Sequence, residues 1–150
     1  MLSTNELNIN SEQMLLVQKM FDPSIHDQSI SVTRGYNMVF GVLSKQMLQL
    51  LGNRIFEVLM TNCLLKGKEN DDAETRKQAC KSLIIAVMVL GIHNLQPETR
   101  NKILETFYSC FDDYAVDRRG DVGSWVRQEA MMSVNKYVSL IVECQDEAVK

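Results

Sequence analysis

Proline and glycine are scarce in this chain, with two Pro and seven Gly in 150 residues. A domain built on tight β-turns needs more of both, so an all-β class is set aside. No strongly basic stretch occurs, and the net charge is −3. That removes the electrostatic footprint of a nucleic-acid binder. Long apolar runs are missing too. The longest, Leu83–Leu90, has eight residues, against the roughly 20 a membrane-spanning helix needs. The first residues, MLSTNELNIN, lack a basic segment followed by an apolar one, so they read as a polar, frayed end (1–9) and not as a secretory signal.

Ligand-like spacings are equally thin. The four cysteines, Cys63, Cys80, Cys110 and Cys144, never fall within four residues of one another. No Cys-x-x-Cys pair and no zinc-finger spacing result. Each sits in a helical apolar pattern, where a free thiol packs as a small hydrophobe. Four unpaired thiols point to a reducing compartment, cytosol or nucleus, without disulfides. The only two histidines, His26 and His93, have no ligand-like neighbour one helical turn away. No phosphate-cradling Gly-x-x-x-x-Gly-Lys-Ser/Thr segment exists. Asp112, Asp113, Asp117 and Asp121 miss the spacing and terminal Glu of a calcium loop. The expectation is a chain with no metal, no cofactor and no catalytic set. Arg119-Gly120-Asp121 spells an adhesion tripeptide, which reads as coincidence in a cytosolic helical protein.

What the chain does have is helical periodicity. Its hydrophobic content of 45 % is ordinary for one globular domain (1–150) with a core. A first helix capped by Asn10 or Ser11 carries Met14, Leu15, Val17 and Phe21, and Asp22-Pro23-Ser24 breaks it. A second, starting near Ser29 or Ser31, has a stripe of Val32, Tyr36, Val39, Phe40 and Leu43, interrupted by Gly35 and Gly41. Ser44 and Lys45 read as the turn out. Met47, Leu48, Leu50 and Leu51 then form a short apolar turn ending at Gly52, and Asn53 caps a helix through Ile55, Phe56, Leu59, Met60 and Cys63. Lys66–Ala73 reads as a solvated loop in which Asp71 and Glu74 make a capping-box-like pair. The helix over 73–90 is apolar on several faces, so it should be buried on most sides, with Gly91 as its stop. Pro97 and Glu98 suit the first turn of the next helix, striped by Ile103, Leu104, Phe107, Tyr108 and Phe111. A last helix, about 122–145, carries Val126, Ala130, Val134, Tyr137, Val138 and Ile141. The reading is about six helices and no convincing strand.

These helices fall into similar pairs. The second member of each holds an Arg ahead of a helical stripe: Arg34, Arg76 and Arg127, spaced 42 and 51 apart. Two-helix units with periods near 40–47 characterise HEAT and armadillo solenoids. The expected class is therefore all-α, a HEAT/armadillo-like solenoid of about three helix pairs, near the minimum for stability, with apolar faces at both ends. Such a short array also reads as a fragment or domain of a longer chain.

The stretch Asp112–Met131, DDYAVDRRGDVGSWVRQEAM, is the least ordinary part. It contains the single Trp125 and accounts for the stretched 51-residue spacing. Asp121 can cap the last helix, because its carboxylate accepts from unpaired first-turn amides. Asp121 and Arg127, six apart, resemble the Asp–Arg pair of HEAT repeats, whose charge-assisted hydrogen bonds can form a ladder between stacked units. Gln28 and Asn70 stand at the matching Asp positions of the other units, which argues against a complete ladder. Trp125 reads as a core anchor for the loop. Tyr114, Arg118 and Arg119 are the candidate partner-binding surface, because Tyr and Arg dominate interface hot spots.

The D-D-Y at Asp112, the D-x-R-G-D-V-G at Asp117 and the W-V-R-x-x-A at Trp125 together resemble a signature of the tubulin folding cofactor D family. RGYNMVFGVL from Arg34 and AETRKQACKSL from Ala73 extend the likeness, which covers most of 14–141. On that resemblance Asp112, Gly120, Asp121, Gly123, Trp125 and Arg127 are signature residues. It implies a segment from the C-terminal region of a large HEAT-rich scaffold that binds β-tubulin, works with cofactors C and E and an Arf-like small GTPase, and assembles or disassembles the αβ heterodimer. It also implies a cytoplasmic, microtubule-associated setting, and stimulation of GTP hydrolysis on tubulin without catalytic residues in this chain. The alternatives are a generic HEAT scaffold with another partner and, less favoured for want of a positioned His, a Cys-nucleophile enzyme.

Overall fold

A computed structural model describes Leu15, Lys19, Phe21, residues 30–66 and residues 72–148, with the backbone alone for 146–148. The expectations for residues 1–9, most of the first helix, the Pro23 break, His26, Gln28, Asn70 and Asp71 lie outside the described residues, as does most of the Lys66–Ala73 loop. Within them the fold is all-α and helical-repeat-like. Its helices are α1 (Ile30–Phe40), α2 (Lys45–Cys63), α3 (Ala73–Leu90), α4 (Pro97–Ser109) and α5 (Gly123–Ala148). Single 3-10 turns, Ile92–Asn94 and Cys110–Asp112, flank α4.

The helices stack in two layers. α3 lies between α1 and α5, while α2 and α4 form a second layer packed on them. The Arg-bearing helices thus make one layer and their partners the other, which is the pairing expected from the repeat. α3 is covered on most sides, as its apolar run predicts: Ala79, Cys80, Leu83, Ile84 and Val87 are all fully buried. Of these, Leu83, Ile84 and Val87 contribute roughly 1.5–3 kcal/mol each. From α2 come Leu48, Ile55, Phe56 and Leu59, from α4 Ile103 and Phe107, and from α5 Val126, Ala130 and Tyr137.

Several local expectations need correction. Gly52 does not end a turn. α2 runs unbroken from Lys45, and its N-cap is Ser44, whose hydroxyl accepts from the Met47 amide. Phe56 packs on the bare face of Gly52 with Leu90 close by, and that packing outweighs the roughly 1 kcal/mol a mid-helix Gly costs. The cap of α3 is Asp72, which accepts from the Glu74 amide. In α1 the core face is Thr33, Asn37 and Phe40, whereas Val32 and Val39 are exposed. A polar seam takes the place of the aliphatic stripe. Asn62 Nδ2 donates to Asn37 Oδ1 at 2.8 Å, and Asn37 Nδ2 donates to the Thr75 carbonyl at 3.3 Å. Val138 and Tyr108 also point to solvent. A two-residue antiparallel hairpin, β1 (Val116–Asp117) and β2 (Gly120–Asp121), occupies the expected inter-helix loop. Gly91 and Pro97 play their expected parts as the end of α3 and the start of α4. Among the described residues no helix is long and apolar enough to cross a membrane.

The flanking helices of the first layer keep apolar side chains exposed: Met38 and Val42 at α1, Met131 and Val142 on α5. Such faces are what the ends of a short helical stack leave uncovered.

Candidate functional site

The three repeat arginines lie in the first turns of α1, α3 and α5, and their partners build one edge of the molecule. Arg34 Nη2 donates to the Asp72 carboxylate at the start of α3. Asp72 also accepts from the Thr75 hydroxyl at 2.6 Å. Burial tends to raise the Asp72 carboxyl, but the Thr75 and Arg34 hydrogen bonds and the Arg34 charge outweigh it and hold it below its ordinary 3.8. A group held down in the folded state contributes stability above its unfolded pKa and loses it as the pH falls through the folded value. Thermal melts should therefore drop below about pH 4, and Asp72→Asn should flatten that part of the acid limb. The contribution is at most about 1 kcal/mol, because the pair is partly exposed.

The second rung is buried. Arg76 Nε donates to Asp113 Oδ2 at 2.6 Å and Arg76 Nη2 to Asp113 Oδ1 at 3.1 Å. The side chains are 1 % and 2 % exposed. Asp113 Oδ1 also accepts from the Ala115 amide at 3.2 Å, and Arg76 Nη1 reaches the Leu65 carbonyl at 3.4 Å. A cross-repeat ladder thus exists, but its acids are Asp72 and Asp113, 38 and 37 residues beyond their arginines. They are not the residues six positions before. The third rung follows the spacing of six: Arg127 Nη2 donates to Asp121 Oδ2 at 2.6 Å. Arg127 also donates to the Asp113 carbonyl, which joins the second and third rungs.

The hairpin hangs from this edge. Asp121 Oδ1 accepts from the Ser124 amide at 3.1 Å, the expected cap of α5. The hydrogen bond from Arg127 leads the causes that hold its carboxyl below the usual range. Gly120 has φ +99°, a conformation that glycine adopts most cheaply. Gly123 is needed for space: a Cβ there would stand 2.3 Å from the Asp113 carbonyl oxygen and 2.6 Å from the Ala115 nitrogen. Asp112 closes the 3-10 turn ahead of the hairpin and is exposed.

The three candidate binding residues differ in their freedom. Tyr114 is 69 % exposed, with the Arg127 guanidinium 4.7 Å from its ring centroid. Arg119 is tied down: its Nε and Nη2 donate to Asp117 Oδ2 at 2.9 and 2.6 Å, and its guanidinium lies 4.9 Å from the Trp125 ring centroid. The Asp117 carboxyl is held low, first by the Arg119 side chain and then by the Arg119 amide. Arg118 is exposed and makes no hydrogen bond or ion pair among the described residues. Trp125, read as a core anchor for the loop, does pack on the core and meets the loop through Arg119. It is half-buried, packed against the core on one side and covered by Arg119 on the other. Val116, Arg118 and Arg119 thus lie on the hairpin, with Trp125 of α5 under Arg119 and Tyr114 ahead of the hairpin beside Arg127. Sequence reasoning singled out Arg76 as a repeat arginine but missed its pairing with Asp113, which anchors the chain just ahead of the hairpin. The available signal was the repeat Arg itself, followed about one repeat later by an Asp at the next inter-helix junction.

Three of the four carboxylates considered as calcium ligands are in ion pairs, Asp113 with Arg76, Asp117 with Arg119 and Asp121 with Arg127, while Asp112 is exposed. The cysteines behave differently from their sequence spacing. Cys63 at the end of α2, Cys80 in α3 and Cys110 at the end of α4 are each buried, and their sulfurs lie within 4.8 Å of one another.

No family model matches this chain, and no solved structure matches it. Among curated proteins, tubulin-specific chaperone D of Dictyostelium discoideum is 25 % identical over 142 residues. The match covers 81 % of this chain and 10 % of that relative's length. This is a distant, partial likeness to a tubulin-specific chaperone.

Proposed function

We propose that this chain acts as a rigid segment of a tubulin-folding cofactor, binding β-tubulin and partner cofactors during assembly and disassembly of the αβ heterodimer. The observation that carries the reading is the likeness to tubulin-specific chaperone D over 81 % of the chain. The hairpin supports it physically. Its exposed Tyr114 and Arg118 sit on a backbone held by the buried Arg76–Asp113 pair and by Arg127. Exposed aromatic and Arg side chains on a pre-organised support supply binding energy at low ordering cost.

The role is binding, without bond chemistry in this chain. Any stimulation of GTP hydrolysis would act through tubulin. Cofactors C and E and an Arf-like GTPase are the further partners this reading carries, in a cytoplasmic, microtubule-associated setting. The test is retention of purified αβ-tubulin by the immobilised chain. Arg118→Glu should weaken retention at least several-fold with an unchanged melting temperature, since that side chain holds nothing else in place. Arg119→Glu should weaken retention and also loosen the hairpin, because it removes the Asp117 and Trp125 contacts. Equal retention by wild type and Arg118→Glu would remove the Arg118 charge from the interface. No retention by wild type would favour a helical-repeat scaffold with a different partner.

A further inference from the structure

The buried thiol trio has no part in the hairpin. Cys63, Cys80 and Cys110 come from three different helix segments, yet their sulfurs converge within 4.8 Å. Their residues are 1 %, 0 % and 1 % exposed. A cysteine used only as a small hydrophobe has no reason to meet two others sulfur to sulfur. With metal–sulfur bonds of about 2.3 Å, three sulfurs around one cation stand roughly 4 Å apart. A contraction of less than about 1 Å would close the present triangle on an ion.

We propose that Cys63, Cys80 and Cys110 form a buried three-thiolate site for a thiophilic, low-coordinate cation of the Cu(I) class. The donor set selects the ion. Thiolates favour soft cations, while structural zinc takes four protein ligands. Among the described residues the group contains no fourth thiol, imidazole or carboxylate. Asp113, the nearby acid, is already engaged by Arg76 and the Ala115 amide. Ser133 Oγ is 3.7 Å from Cys80 Sγ and Cys110 Sγ is 3.9 Å from the Cys63 carbonyl, so the sulfurs have weak polar neighbours only.

Binding forms three metal–sulfur bonds and releases the displaced thiol protons to solvent, with no change of oxidation state. Because the sulfurs are enclosed, the ion loads during folding or through local opening.

The test is refolding of the full chain with Cu(I) supplied as a weak chelate, and separately with Cd(II) as an ultraviolet charge-transfer probe. The expected result is one equivalent bound per chain, a raised melting temperature, and protection of three thiols from alkylation. Cys144→Ser should change none of this. Cys110→Ser should weaken binding by more than the roughly 10–100-fold typical of losing an outer-shell partner. Cys80→Ala, which keeps a small apolar group in the core, serves as a second variant if Cys110→Ser folds poorly. Binding lost only with Cys144→Ser, binding unaffected by either cluster variant, or a disulfide within the trio in the freshly purified protein would each overturn the proposal. The outcome is independent of tubulin retention.

Discussion

Asp113→Ala is expected to lower the unfolding free energy by about 3–5 kcal/mol, the usual cost of removing one partner from a buried ion pair. The Arg76 guanidinium, 1 % exposed, would keep its charge but lose both carboxylate bonds. The Nη1 contact to the Leu65 carbonyl, at 3.4 Å, does not replace a carboxylate. The Ala115 amide would lose its acceptor as well. Denaturant melts of the two proteins measure the difference. The pair's net worth is a separate matter, because two buried charges also carry a desolvation penalty. Arg76→Met combined with Asp113→Leu should therefore recover a large part of the loss. A double variant as unstable as Asp113→Ala alone would show that the pair is needed for more than mutual neutralisation.

Gly123→Ala should cost about 1–3 kcal/mol, the range for forcing extra volume into a packed site, and should displace the hairpin. The new methyl would overlap the Asp113 carbonyl and the Ala115 nitrogen, both backbone atoms that cannot rotate aside. The Asp113 carbonyl is also the acceptor for Arg127, so the third rung would be disturbed together with the junction. Gly120→Ala provides the contrast. Nothing lies within 4 Å of a Cβ there, but φ is +99°, so its cost is conformational, roughly 1–2 kcal/mol. If both substitutions weaken tubulin retention while Arg118→Glu does not, hairpin placement matters more than its charge. Hydrogen exchange of the Val116 and Asp121 amides would report the displacement directly.

Both predictions concern residues at which sequence reasoning was weakest. The helices themselves were legible, because apolar spacing, Pro97, Gly91 and Asp121 are local signals that act within a turn or two of chain. Where a local signal was misread, a distant residue had outweighed it. Gly52 looked like an end and is a packing site for Phe56. Val32 and Val39 looked like core, but the buried face of α1 is polar because Asn37 is satisfied by Asn62 and Thr75. Trp125 looked like core and does pack on it, but one face of its ring is covered by Arg119 from the hairpin. The hairpin was legible as a structured loop and its cap was found, but its two-residue strands are too short to leave a periodic pattern.

The sequence by itself determined an all-α chain, a repeat marked by Arg34, Arg76 and Arg127, and a charged segment distinct from the rest. These follow from side-chain spacing along one helix and from capping chemistry over a few residues. Only the tertiary structure decided which acid each arginine meets and that Asp113 is the buried keystone of the edge. It alone showed that three cysteines 17 and 30 residues apart share one small volume. Such choices depend on how α1, α3 and α5 stack on α2 and α4. Spacing along the chain carries no record of distance across a packed layer.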